Sequence, residues 1–282
     1  MFEELNLDLQ AFARRTYESI LYQSTFYNFL NMNYIGTLRQ TGAPVIEVAK
    51  TDVLSVNVRK TKEIQKRLDP SLVTYNHKMV DLTELNMDYS IRVPLMVMGS
   101  DITNAIQDAA DLEDSAIAKQ IDTYGYGKLA SNTDIEESEW APSDQAGYIT
   151  LLNGLRAKLF NKDITGDYRL GLGAVEYGNY VSALTSILKF ETLQGRDGVD
   201  MGIIARAYGI SAFEINDNML DGVVGYFFNP IAVVGDTFFS AFVQHISPQG
   251  YPGYYVLEGT QSFGAEVVRP EAILKLVEEV SA

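Results

Sequence analysis

The sequence predicts an α+β chain whose helices and strands fall into separate blocks instead of alternating. Two patterns carry this. Apolar residues recur at helical spacing in several stretches before residue 190, and they alternate at strand spacing between Val45 and Val93 and again beyond Gly195. Composition agrees: 46% hydrophobic and 21% charged residues over 282 positions can bury a substantial core and are too apolar for a disordered chain.

Taken in order, Leu9, Phe12, Ala13, Tyr17, Ile20, Leu21 and Phe29 predict one amphipathic helix over Leu7 to Leu30, with Asp8 near its start. Gly42 and Pro44 break that pattern. Leu54, Val56 and Val58, then Val73, Tyr75 and Met79, then Ile91 and Val93 alternate as strands with one covered face, forming a long hairpin. At its tip lies NVRKTKEIQKRLD, Asn57 to Asp69, with five cations and no apolar cluster able to nucleate a core.

A helix follows from Gly99 to Gly125, with Ser100 placed to cap and Asp101 favourable to the helix dipole. Its apolar stripe is Ile102, Ala105, Ile106, Ala109, Ala116, Ile117 and Ile121. In YGYGKLAS a glycine is expected to supply the left-handed cap. Ser143 or Asp144 caps a further helix, YITLLNGLRAKLF, buried through Tyr148, Leu151, Leu152, Leu155, Leu159 and Phe160. YRLGLG reads as a buried strand and AVEYGNYVSALTSIL as a helix. The rest is β in texture: IIARAYGISAFEI, GVVGYFFNPIAVV, AFVQHI and YYVLEGTQSFGAEVV, bounded by Gly, Pro, Asn or Asp. A last short helix is expected after Pro270.

The chain lacks cysteine, so disulfides and thiolate chemistry are excluded. MFEELNLDLQAF carries acids where a secretory signal carries cations, and no apolar run approaches the roughly eighteen residues of a membrane helix. The expectation is a cytoplasmic chain without a membrane partner. A net charge of -15 argues against tight wrapping of nucleic acid. Charge is also segregated. Lys50 to Arg67 holds six cations against two acids, while Asp101 to Glu139 holds ten acids against Lys119 and Lys128.

Catalytic signatures are weak. GLGAVEYG has Gly171, Gly173 and Gly178, which is not dinucleotide spacing, and tight packing of a turn explains it better. Gly127-Lys128 is followed by Leu129, where a phosphate loop needs Ser or Thr. There is no G-x-S-x-G elbow, and His77 and His245 stand apart as partly exposed strand histidines. Asp111 and Asp114 would pair as acid and base only on a face that reads better as a solvated or partner-facing surface. The 17 Tyr and 13 Phe are spread over every element, as core and interface residues are. No catalytic residue, cofactor or metal is expected.

The order of parts is more telling: an N-terminal segment, a long hairpin with a charged tip, a long helix, a second helix feeding DYRLGLGAVEYGNYVSAL, a β-rich lobe opening at GRDGVDMGIIARAYGISAFEINDNML, and a closing FGAEVVRPEAILKLV. This order, over nearly the whole chain, resembles the major capsid protein of tailed bacteriophages, the Hong Kong 97-like fold. GISAFEINDNML resembles the family's strand into a turn, FFNPIAVV the strand re-entering the lobe, and QSFGAEVVRPEAI its terminal strand and helix.

The resemblance implies an N-terminal arm over 1–39 and an extended E loop over 40–94. It implies a peripheral domain over 95–146 with its spine helix, an axial domain over 147–247, and closing strands and helix over 248–282 that return to the peripheral domain. It implies pentamers and hexamers of an icosahedral head around double-stranded DNA, assembled in a host bacterial cytoplasm, with the E loop lying across a neighbouring subunit. With no long helical prodomain after Met1, a separate scaffolding protein and a portal are implied partners, and the packaged DNA a loose one. The lysine, asparagine and carboxylate of covalent cross-linking find no matching positions.

Charge segregation adds its own hypothesis: Arg59, Lys60, Lys62, Lys66 and Arg67 of one copy meet Asp108, Asp111, Glu113 and Asp114 of another. Two alternatives stay open, an encapsulin-like nanocompartment shell and an α+β enzyme using carboxylates.

Overall fold

The computed structural model describes residues 9–31, 33, 45–51, 75–95, 102–185, 189–194, 200–207, 209–239 and 242–278. Helix α1 (Leu9–Gln23) buries Phe12, Thr16, Tyr17 and Ile20 along one face. It stops short of the expected Leu30. The chain leaves the helix at Ser24 and makes a 3-10 turn over Phe26–Phe29. The reason is tertiary, since Phe26, Tyr27, Phe29 and Leu30 are all at most 2% exposed, and one helical face cannot bury neighbours pointing in different directions. The Asp122 carboxylate takes the Thr25 and Phe26 amides at 3.1 and 2.9 Å, supplying partners that a continuing helix would have provided.

Strands β1 (Val45–Thr51) and β2 (Tyr75–Asp81) form an antiparallel ribbon, with Val45 opposite Asp81 and Thr51 opposite Tyr75. The described bases of the expected hairpin arms therefore pair, while Leu54, Val56, Val58 and Val73 lie outside the described residues. Ile91 and Val93 belong instead to a separate strand, β3 (Leu85–Pro94). Helix α2 (Ile102–Ser131), about 45 Å long at 1.5 Å per residue, runs past the expected glycine terminus. Gly125 is interior to it: a Cβ there would stand 2.4 Å from the Phe26 ring, so the glycine lets the N-terminal turn nest against the helix.

β4 (Glu136–Glu139) leads to α3 (Gln145–Phe160), whose cap is Asp144, accepting from the Gly147 amide at 2.7 Å. β5 (Tyr168–Gly173) and α4 (Ala174–Leu184) follow as expected. Then come β6 (Lys189–Gln194), β7 (Asp200–Ala207), β8 (Ile210–Ile215), β9 (Gly225–Phe228), β10 (Val233–Phe239), β11 (Val243–Ile246), β12 (Tyr254–Val267) and β13 (Ile273–Val277).

Among the described residues there are two larger sheets besides the ribbon. In the four-stranded one, β12 is central, with β3 along one edge and β10 and β11 in tandem along the other. The other sheet runs β4-β13-β9-β5-β8-β7-β6. One expectation changes here. The segment after Pro270 is not a helix but a three-residue 3-10 turn and then β13. Ile273 to Leu276 are all buried between β4 and β9, and pairing on both sides overrides the helix-start cue of the proline. β12 joins β3 and the β10–β11 stretch, while β13 enters the seven-stranded sheet between β4 and β9.

One apolar core runs through both larger sheets and the helices. Phe29 lies at its junction, stacked on Phe228 with ring centroids 3.8 Å apart. Among the described residues, no helix is long and apolar enough to cross a membrane.

Candidate assembly surfaces

The hairpin is held at its root. Val48 and Val80 are 5% and 1% exposed and pack with Leu82 against Val234 and Val268, a small core separate from the main one. Gly264 of β12 permits this approach, because a Cβ there would lie 1.9 Å from the Asp81 carbonyl oxygen. Just beyond, Lys128 of α2 bonds Glu84 and sits 3.3 Å from Glu266, tying the turn after β2 to both helix and sheet. Burial would lower the Lys128 ammonium, but bonds to Glu84 and Tyr124 with the charge of Glu266 outweigh it, and the group is held above its ordinary range. In the sequence Lys128 stands out only as part of a failed phosphate-loop pattern. Its role has no sequence signal, since both partners are remote in the chain.

Next to this root Met79 is 67% exposed. The expected cations Arg59, Lys60, Lys62, Lys66 and Arg67 lie outside the described residues. The four expected acids are all on α2 but do not share a face. Asp108 and Asp111 are exposed, Glu113 is half-buried and Asp114 is buried at 2%. Asp114 thus leaves the proposed contact set for a physical reason: it follows Ala110 and precedes Ala118 by four residues, on the stripe that faces α1 and β3. Asp111 already holds Arg15 of the same chain at 2.8 Å. Leu112, 75% exposed, completes an outward patch with Asp108.

The far end of α2 is fixed by Lys275 of β13, which donates to the Ala130 and Asn132 carbonyls at 2.8 and 2.7 Å. At the α1 end, Asp122 gathers Ser24 Oγ, Thr25 Oγ1 and the two amides already named. α2 is therefore a strut pinned to the N-terminal turn and the four-stranded sheet along its length, and to the seven-stranded sheet at its end.

No protein-family model and no curated protein matches this chain. Solved structures do. A chain from Mycobacterium phage Che8 superposes with a TM-score of 0.57 at 16% identity, over 90% of each chain. A chain of the capsid structure of cyanophage P-SCSP1u gives 0.57 at 12% identity, over 85% of this chain and 84% of that one. This is the fold of a phage capsid subunit. A virus-like particle from Pyrococcus furiosus shares it, with a TM-score of 0.51 at 11% identity, over 93% of this chain and 98% of that one.

Within this capsid fold Gly171 and Gly173 of GLGAVEYG have packing roles, whereas a Cβ on Gly178 would meet nothing within 4 Å. A Cβ on Gly171 would meet Ile215 at 2.5 Å, and one on Gly173 would meet Asp217 at 2.2 Å. Beside them opens a cavity of about 660 Å³ lined by Glu137, Glu176, Asp217 and Glu278 among valines and glycines. Its lining holds these carboxylates but no serine, threonine, lysine, tyrosine or histidine. Glu176 is engaged by Trp140 Nε1 at 2.9 Å and by the Tyr148 hydroxyl at 2.7 Å. Among the described residues, no group of His, Asp and Glu side chains is arranged to hold a metal ion. His245 stands exposed on β11.

Proposed function

We propose that this chain is a structural shell protein, the major capsid protein of a tailed bacteriophage, which assembles with copies of itself into pentamers and hexamers of an icosahedral head enclosing double-stranded DNA. The observation that carries the reading is the shared fold over about nine-tenths of both this chain and the Che8 chain. The architecture supports it: a two-stranded ribbon is marginal alone, yet this one is riveted at its base by Val48, Val80 and Leu82. Such a ribbon gains order by lying on a neighbour. In this reading Arg59, Lys60, Lys62, Lys66 and Arg67 reach Asp108, Glu113 and the solvent side of Asp111 on the next subunit. Exposed charge pairs contribute about 0–1 kcal/mol each, enough to set register and too little to drive association. Affinity comes from apolar contacts repeated around a closed lattice.

The role is structural and not enzymatic, and the protein resides in the virion capsid after assembly in the host cytoplasm. A scaffolding protein and a portal are its further partners. The acidic balance of the chain keeps contact with packaged DNA loose. A second reading, an encapsulin-like compartment around cargo protein, is favoured by the likeness to the Pyrococcus virus-like particle. Electron microscopy of purified material tests both. Closed shells with nuclease-protected DNA support the phage head, shells holding a protein cargo support the compartment, and a monomer or dimer under all conditions removes both.

A further inference from the structure

The seam between α1, α2 and β3 holds a carboxylate that the shell reading does not use. Asp114 is 2% exposed, and its donors are few. Tyr89 of β3 donates its hydroxyl at 3.3 Å, while also bonding Thr16 of α1, and Ser19 of α1 supplies a second hydroxyl. The cation in reach, Arg15 of α1, gives its guanidinium to Asp111 at 2.8 Å. The remaining charges nearby on α2, Asp111 and Glu113, repel a carboxylate. From β10, Asp236 also holds α1, accepting the Tyr17 hydroxyl at 2.8 Å.

Asp122, about two turns further along α2, provides the contrast. It receives four donors, Ser24 Oγ, Thr25 N, Thr25 Oγ1 and Phe26 N, at 2.5 to 3.1 Å. An ionised carboxylate is costly to bury unless donors replace its water, and Asp114 has two hydroxyl donors, from Ser19 and Tyr89, where Asp122 has four donors. Burial is the largest influence on its carboxyl and pushes it up to about 7; the Ser19 and Tyr89 bonds oppose this, Asp111 adds to it and Arg15 opposes it.

We propose that Asp114 acts as a proton-operated clasp on α1: protonated, it lets the helix close on α2 and β3, and ionised, it favours a state in which α1 has moved away and the carboxylate is hydrated. The pivot is Ser24 to Phe26, where Asp122 and the buried Phe26 and Phe29 rings fix the chain. The inference stands on the subunit alone, whatever it assembles into.

The sign follows from linkage. A hydrated Asp114 titrates near the ordinary carboxylate value of about 4, and the closed one near the raised value. Closure is strongest below that interval, loses about a factor of ten per pH unit as pH rises through it, and is level above it.

Hydrogen exchange of the full chain, corrected for intrinsic rates and followed from about pH 4.5 to about pH 8.5, tests this with α3 as internal reference. The opening constant of the α1 amides should rise about tenfold per pH unit up to neutrality and then level off. Asp114→Asn should lose most of that rise, keeping only what Asp122 contributes at the end of α1. Asp111→Asn frees Arg15 for Asp114 and should give a smaller rise that levels off at lower pH. Protection of α1 that is independent of pH, an unchanged dependence in Asp114→Asn, or an unchanged rise in Asp111→Asn overturns the clasp. The last arm decides if the Asp114→Asn variant does not fold.

Discussion

The Lys275 ammonium donates to the Ala130 carbonyl oxygen at 2.8 Å, so a strand near the end of the chain closes the last turn of a helix 145 residues earlier. Helix ends leave carbonyls without intrahelical partners, and a cation there also meets the negative end of the dipole. Because Lys275 is only 6% exposed, water does not readily replace it. Lys275→Met should lower stability by about 2 kcal/mol, the scale of a hydrogen bond to a charged group, as read by denaturant unfolding. Hydrogen exchange should rise first in the final turn of α2. An unchanged midpoint would mean that the lysine stem, not its charge, matters there.

Gly125 and Gly127 form a matched pair within one helix. At Gly125 an added methyl meets the Phe26 ring at 2.4 Å, whereas at Gly127 nothing lies within 4 Å. Gly125→Ala should destabilise by about 1–3 kcal/mol through overpacking. Gly127→Ala should stabilise by about 0.5–1 kcal/mol, because only the helix preference of alanine is felt. Denaturant midpoints moving in opposite directions would confirm the nesting of Phe26. Equal shifts would contradict it.

Much of this is legible in the sequence because period and capping are local. Spacing alone gives the α2 stripe through Ile106, Ile117 and Ile121 and narrows the α3 cap to Ser143 or Asp144, of which the structure uses Asp144. Asp114 shows where charge misleads and position does not: four residues from both Ala110 and Ala118, it lies on the buried stripe, and counting acids hides that. β13 is not legible, since ILKLV after a proline suits a helix start, and only pairing with β4 and β9 decides otherwise. The early end of α1 is likewise set by Asp122, ninety-six residues from the Phe26 amide it accepts. Long-range partners of this kind leave no local trace.

Asp122 makes that end of α1 a separate test. Asp122→Ala strands the amides of Thr25 and Phe26 and should cost several kcal/mol, about 1–3 for each buried donor left unpaired. Asp122→Asn keeps one acceptor oxygen and should cost less. Burial raises the Asp122 carboxyl above its ordinary range, against the bonds from Ser24, Phe26 and Thr25. Its contribution to stability is therefore fully present below the ordinary carboxylate value and is lost as pH rises through the raised one. The gap between wild type and Asp122→Asn should narrow as pH rises, and thermal melts across that range would show it. A gap that widens would mean the four donors outweigh burial.

The subunit contact proposed for the hairpin is tested by charge. Lys60, Lys62 and Lys66 lie in a stretch without an apolar cluster, so reversing all three to Glu should leave the subunit folded, with unchanged circular dichroism and melting temperature. Assembly should fail or slow, because register-setting pairs of about 0–1 kcal/mol each turn repulsive and like charges oppose docking at every copy around the shell. Raising salt should narrow the difference, since exposed pairs are screened beyond about 10 Å at 0.1 M. The partner surface is then identified by compensation. Asp108→Lys with Glu113→Lys, added to the reversed hairpin, should restore particles in sedimentation and electron micrographs, whereas the same pair in the wild-type background should impair them. Normal shells from the triple reversal alone would remove the charged contact while leaving the capsid fold untouched, and failure of compensation would move the contact to another acidic surface, of which the cavity edge at Glu137, Asp217 and Glu278 is the next to try.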